Sequence, residues 1–120
     1  MARVTGLGGV FYMVKDPEAT RQWYKDYLDM DGEYGPMLNW SDEKGDKPYS
    51  LISHFPKDSD YLKPSEAKFM INLRVDDLDD YVEQLKILGQ IDEGYGKFAW
   101  ILDCDGVKLE FWQQVDAPES

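Results

Sequence analysis

Laid on itself with an offset of 61 positions, the chain repeats: Val14-Lys15-Asp16 falls on Val75-Asp76-Asp77, and Tyr24 and Tyr27 fall on Leu85 and Leu88. In both copies an alternating apolar run ends in Val, and an acidic residue able to cap a helix follows. Apolar residues then recur at helical spacing. Each half reads strand-helix-strand-strand-strand. Such a unit lays its helix on one face of a small sheet and leaves the other face bare, so two units must cooperate to close a cavity.

In the first half Val10 to Val14 is predicted as a strand, approached through Gly6-Leu7-Gly8-Gly9, where a glycine pair allows a bulge or another backbone to come close. Asp16 caps a helix, Pro17 fits its first position and Glu18 suits its positive end. That helix runs to about Asp29, with Ala19, Trp23, Tyr24, Tyr27 and Leu28 as its buried stripe. Short strands follow around Glu33-Tyr34, from Met37 to Trp40 and from Tyr49 to Phe55. In the second half Phe69 to Val75 is a strand, and Asp76-Asp77 caps a helix whose stripe is Leu78, Tyr81, Val82, Leu85 and Leu88, ended by Gly89. Ile91 to Tyr95, Phe98 to Leu102 and Lys108 to Gln113 are the remaining strands, the last two joined as a hairpin through Asp103-Cys104-Asp105-Gly106. The expectation is one α+β domain over residues 5–114, with module one at about 5–55, a linker at 56–66, module two at about 67–114 and a polar tail at 115–120.

A net charge of −11 and a pI near 4.3 oppose binding to phosphate backbones or anionic membranes, so neither nucleic acid nor membrane is expected as a partner. A neutral or cationic partner is favoured, although acidic surfaces also serve solubility. The single Cys104 cannot form an internal disulfide, and no run approaches the roughly 18 apolar residues of a membrane span. With no apolar signal core after Met1-Ala2-Arg3, a cytoplasmic location is expected.

The turn Asp103-Cys104-Asp105-Gly106 and the following Val107-Lys108-Leu109-Glu110-Phe111 resemble the C-terminal signature of the vicinal oxygen chelate superfamily, which includes glyoxalases, bleomycin-resistance proteins and extradiol dioxygenases. Members commonly carry Asp-Pro-Asp-Gly there, followed by an apolar-Glu-apolar strand; Cys104 stands where Pro is usual. The resemblance covers about residues 5–114 and implies two βαβββ modules forming an open, curved mixed-sheet barrel of the glyoxalase/bleomycin-resistance type, commonly as a homodimer. It places Glu110 at a metal-ligand position. The two histidine positions fall on Gly9 and Met70, and the fourth ligand position lies within Tyr49 to Phe55, a strand without a carboxylate. Glycine offers no donor, a thioether is a poor ligand for a hard cation, and one carboxylate does not hold a catalytic metal. The expectation is therefore no metal and no cofactor. His54, the only histidine, is either a packing residue or a relocated ligand beside Glu110, and Asp103 and Asp105 read as turn residues that bond their own backbone.

Strand alternation describes the cavity. If Met70 faces in, so do Asn72 and Arg74, while Ile71, Leu73 and Val75 pack on the helix; Gly9, Phe11 and Met13 face in on the first strand, and Glu110 and Trp112 on the last. Phe11, Met13, Met70, Asn72, Arg74, Glu110 and Trp112 are thus the candidate binding residues for a small organic ligand with an apolar body and a polar handle. Trp40 and Trp100 are candidates for the mouth. Two other readings remain open: Arg74 and Glu110 pair as a structural bridge, or the chain is a lyase- or isomerase-like enzyme with Glu110 as general base and Arg74 as electrophile. Asp103 and Asp105 flank Cys104 and disfavour a thiolate nucleophile, so Cys104 reads as a turn residue.

Overall fold

The computed structural model describes residues 2–32, 35–39 and 49–115. The expected strand at Glu33-Tyr34, the candidate Trp40 and nearly all of the polar tail lie outside these residues. The first strand, β1 (Val4–Val14), is longer than its apolar core because the glycines of its first half continue it with a register shift at Gly8. Asp16 accepts the Ala19 N–H as the cap of α1 (Pro17–Leu28), and Asp29 closes that helix in the left-handed conformation. β2 (Met37–Asn39) and β3 (Tyr49–Pro56) complete the first half.

The second half is β4 (Phe69–Val75), α2 (Leu78–Gln84), β5 (Gly89–Asp92), β6 (Gly96–Leu102) and β7 (Lys108–Gln114). Between β6 and β7 the Asp103 carboxylate accepts the Asp105 and Val107 N–H groups at 2.9 Å, and Gly106 takes φ 82°, which is the chemistry the hairpin turn requires. The seven described strands join one mixed, open sheet in the order β2-β3-β1-β4-β7-β6-β5. β1 and β4 meet antiparallel at its centre, and there Val10 pairs with Ile71, the residue 61 positions on. The internal repeat is thus a pseudo-two-fold axis through the sheet. No described helix is long and apolar enough to cross a membrane.

The two sheet faces bury different clusters. Val75, Leu78, Ala99, Ile101 and Phe111 form one beneath α2, with Leu73, Tyr81, Val82, Ile87 and Leu109 against it. Phe11, Leu51, Leu62 and Met70 form the other on the opposite face. Two helical expectations change here. α2 ends at Gln84 because Leu85 is extended and the Leu88 N–H pairs with the Trp100 carbonyl at 2.7 Å, so these residues join the sheet margin and Ile87 packs inward. The α1 stripe is not buried: Trp23, Tyr27 and Leu28 are 51%, 73% and 51% exposed. Instead α1 is tied to the sheet through polar groups, with the Tyr24 and Tyr12 hydroxyls 3.0 Å apart and the His54 Nε2 3.1 Å from the Tyr12 hydroxyl.

Burial raises the Tyr12 phenol to about 12, helped by its bond to Tyr24, and lowers the His54 imidazole from 6.5. At His54 the folded state then binds fewer protons than the unfolded chain. The His54 contribution is complete above pH 6.5 and is lost as pH falls below it. The single His54 ring resonance is expected to titrate by NMR with a midpoint under 6.5. Leu62, 2% exposed although it belongs to the connecting segment, seals the second cluster. Leu62→Ala is expected to cost about 2–5 kcal/mol in urea unfolding, as for a core residue rather than a loop residue.

Candidate functional site

Cross-strand register sets the cavity in rows. Ser53, Phe11 and Met70 lie side by side on β3, β1 and β4; the next row runs Leu51, Gly9, Asn72, Glu110 and Trp100, and the third carries Arg74, Trp112 and Phe98. Gly8 and Gly9 leave the middle row bare on β1. A Cβ on Gly8 would sit 1.8 Å from Asn72 Oδ1, so the Asn72 amide lies directly on that backbone. Over this floor is a cavity of about 300 Å³. Phe98 and Trp112 line one side with rings 11° from parallel and 6.1 Å between centroids, with Tyr49 edge-on to Trp112 at 5.4 Å. Phe11, Phe55 and Tyr61 line the other, Phe55 and Tyr61 stacking at 5.2 Å.

Glu110 is 2% exposed at the base of this cavity. Its Oε1 accepts from Asn72 Nδ2 at 2.6 Å, and its Oε2 accepts from Trp100 Nε1 at 2.6 Å and from the Tyr61 hydroxyl. Burial and then the Glu110 charge push the Tyr61 phenol far above its usual range, so it stays protonated and donates. Tyr61 was not among the residues singled out from sequence, and no pattern in its polar, proline-flanked segment points to it. Lys108 reinforces the same cover: its Nζ donates to the Tyr61 carbonyl and lies 5.1 Å from the centroid of the Tyr61 ring. Burial lowers the Lys108 ammonium below its usual range, with the Glu110 charge opposing.

Of the residues picked by alternation, Phe11, Asn72, Glu110 and Trp112 line the cavity together. Met70 is on the same face but wholly buried among Phe11, Leu51 and Leu62, and Met13 packs at the edge of that cluster. Arg74 turns away from Glu110: Nη1 donates to the Tyr49 carbonyl at 3.0 Å, Nη2 to Gln114 Oε1, and the guanidinium lies 4.2 Å from the Trp112 ring centroid. An Arg74–Glu110 bridge is not formed. Trp100 reaches the site as a donor to Glu110. His54 borders the cavity, but its Nε2 lies 3.1 Å from the Tyr12 hydroxyl and no bond joins it to the carboxylate. Cys104 is exposed at the hairpin tip.

No protein-family model and no curated protein matches the sequence. By structure the chain is similar to Streptomyces coelicolor methylmalonyl-CoA epimerase in complex with 2-nitronate-propionyl-CoA, with a TM-score of 0.63 at 14% identity over 95% of this chain and 100% of that one. It is also similar to a glyoxalase/bleomycin resistance protein/dioxygenase superfamily member from Vibrio splendidus 12B01, with a TM-score of 0.57 at 14% identity over 95% of this chain and 100% of that one. A third is the Mn(II)-bound glyoxalase from Novosphingobium aromaticivorans, with a TM-score of 0.56 at 18% identity over 100% of this chain and 43% of that one. The chain has the fold of the glyoxalase/bleomycin-resistance/dioxygenase proteins, the vicinal oxygen chelate architecture. At these identities the likeness concerns fold alone.

Whether the residues suit a divalent ion follows from register. Phe11 pairs with Ser53 as Asn72 pairs with Glu110, so Ser53 is the counterpart of Glu110 in the first half. The four positions are then Gly9, Ser53, Met70 and Glu110. A side chain on Gly9 would meet the Leu51 carbonyl at 2.2 Å, Met70 is sealed, and both Glu110 oxygens already accept bonds. No three His, Cys, Asp or Glu side chains gather as a metal site among the described residues. The residues present do not fit the ion.

Gly8→Ala is expected to displace the Asn72 amide and lower stability by about 1–3 kcal/mol in urea unfolding. In an Asn72→Ser background most of that loss should vanish, since the clash is with the amide; an undiminished loss would place the strain elsewhere.

Proposed function

We propose that the protein binds a small organic molecule in the cavity above Gly8 and Gly9, without metal chemistry. The observation that carries this reading is the division of labour inside the cavity: its carboxylate is taken up by three internal donors, while its walls are the open faces of aromatic rings. Pockets for drug-sized ligands run from about 300 to 1,000 Å³. The volume here, about 300 Å³, matches a ligand of one or two rings. Asn72 and Glu110 lie at its base, Trp112 and Phe98 on one side and Phe11, Phe55 and Tyr61 on the other.

Glu110 as a general base is less well supported. A base needs a free lone pair within reach of a substrate proton and a group to take the developing charge. Here the carboxylate accepts three bonds, and Arg74 is engaged by Tyr49, Gln114 and Trp112. The three solved relatives include an epimerase and a glyoxalase, but the fold alone does not transfer their reactions. In this reading the protein acts in the cytoplasm as a homodimer.

Trp100 and Trp112 make binding visible by fluorescence. Titration with one- and two-ring aromatic compounds is expected to give saturable quenching that survives treatment with EDTA. Phe98→Ala should weaken it several-fold, in line with about 1 kcal/mol of lost ring contact. Quenching that disappears with EDTA and returns with manganese or nickel would overturn the reading.

A further inference from the structure

Glu110 combines two properties that rarely persist together in a finished core. It is 2% exposed, and among the described residues no Lys, Arg or His side chain is in ion-pair contact with it. The two cations nearest to it in the sheet are occupied elsewhere. Lys108 donates to the Tyr61 carbonyl, and Arg74 to Tyr49 and Gln114. All three hydrogen bonds to Glu110 come from neutral donors, and the Lys108 charge acts on it only from beyond ion-pair contact, so no cation touches the carboxylate among the described residues. A buried charge is costly unless a counter-ion joins it.

Two of the donors, Asn72 and Trp100, sit on strands of the sheet and are fixed by its register. Tyr61 is different. It comes from the segment between β3 and β4 and its residue is 39% exposed, while Leu62 and the Lys108 bond to its own carbonyl hold the backbone. The rings of Phe55 and Trp100 pack against it without enclosing it.

Resting on the small-molecule reading above, we infer that the ligand is an aromatic primary ammonium, that Glu110 is its counter-ion, and that the Tyr61 hydroxyl holds the place of the ligand's N–H until it binds. The ammonium would meet the carboxylate at the cavity base while its ring lies among Phe11, Phe98 and Trp112. Aromatic faces attract cations, and the net charge of −11 draws them from solution.

The test is a charge series at constant shape: calorimetric titration with 2-phenylethylammonium, 2-phenylethanol and phenylacetate. The ammonium is expected to bind at least tenfold tighter than the alcohol, and phenylacetate the weakest of the three. Glu110→Gln should erase the preference for the ammonium. Tyr61→Phe, which removes the competing donor, should tighten it several-fold. Equal affinity for ammonium and alcohol would overturn the inference and leave the small-molecule reading standing, whereas no binding by any of the three would overturn both. Weaker ammonium binding in Tyr61→Phe would make Tyr61 a contact rather than a place-holder. Should Glu110→Gln fail to fold, the wild-type series and Tyr61→Phe still decide.

Discussion

Three donors from three separate stretches of the chain converge on one buried carboxylate. Asn72 comes from β4, Trp100 from β6 and Tyr61 from the connection between the halves. A carboxylate at 2% exposure must have its lone pairs filled, and Tyr61 brings the connection to Glu110 in addition to the turn bonds at Ser59, Lys63 and Ser65. Lys108 and Leu62 hold the same segment from either side of Tyr61, one by its carbonyl and one by its neighbour's burial. What would otherwise be a surface linker becomes a wall of the cavity.

The pseudo-two-fold axis through Val10 and Ile71 makes the two halves equivalent in backbone and lets them differ in side chain. Phe11 matches Asn72, Gly9 matches Met70 and Ser53 matches Glu110. Each pair sets a small or apolar residue against a larger or polar one, so the two halves contribute unlike side chains to the cavity. A symmetric frame could bring four ligands to one centre. This one places a thioether under Leu62, bare backbone against the Leu51 carbonyl, and a single carboxylate among neutral donors. The fold is shared with proteins of several chemistries, so the fold does not by itself choose among them.

Much of the architecture was legible because its causes are local. Asp16 and Pro17 start α1, and Asp103 with Gly106 turns the last hairpin. Alternation along β7 put Glu110 and Trp112 on one face and Leu109 and Phe111 on the other, as observed. Helical periodicity was less informative. It marked Trp23, Tyr27 and Leu28 as one apolar face of α1, but whether anything covers a face depends on what lies opposite, and within the described chain they stay exposed. The Leu85 and Leu88 spacing likewise suited a longer α2 until pairing with β6 drew residues 85–88 to the sheet.

The sequence by itself determined the duplicated frame and the facing of residues on the central strands, with glycine and methionine at positions 9 and 70, because caps, turns and a two-residue period are properties of neighbours in the chain. Tertiary structure alone decided which inward side chains a ligand could touch. Met70 is sealed by Leu62 and Arg74 is drawn to Tyr49, Gln114 and Trp112, while Tyr61 is carried to Glu110, 49 positions away. Those outcomes rest on contacts between distant segments, where side-chain reach and competition for hydrogen bonds override the direction a Cβ points.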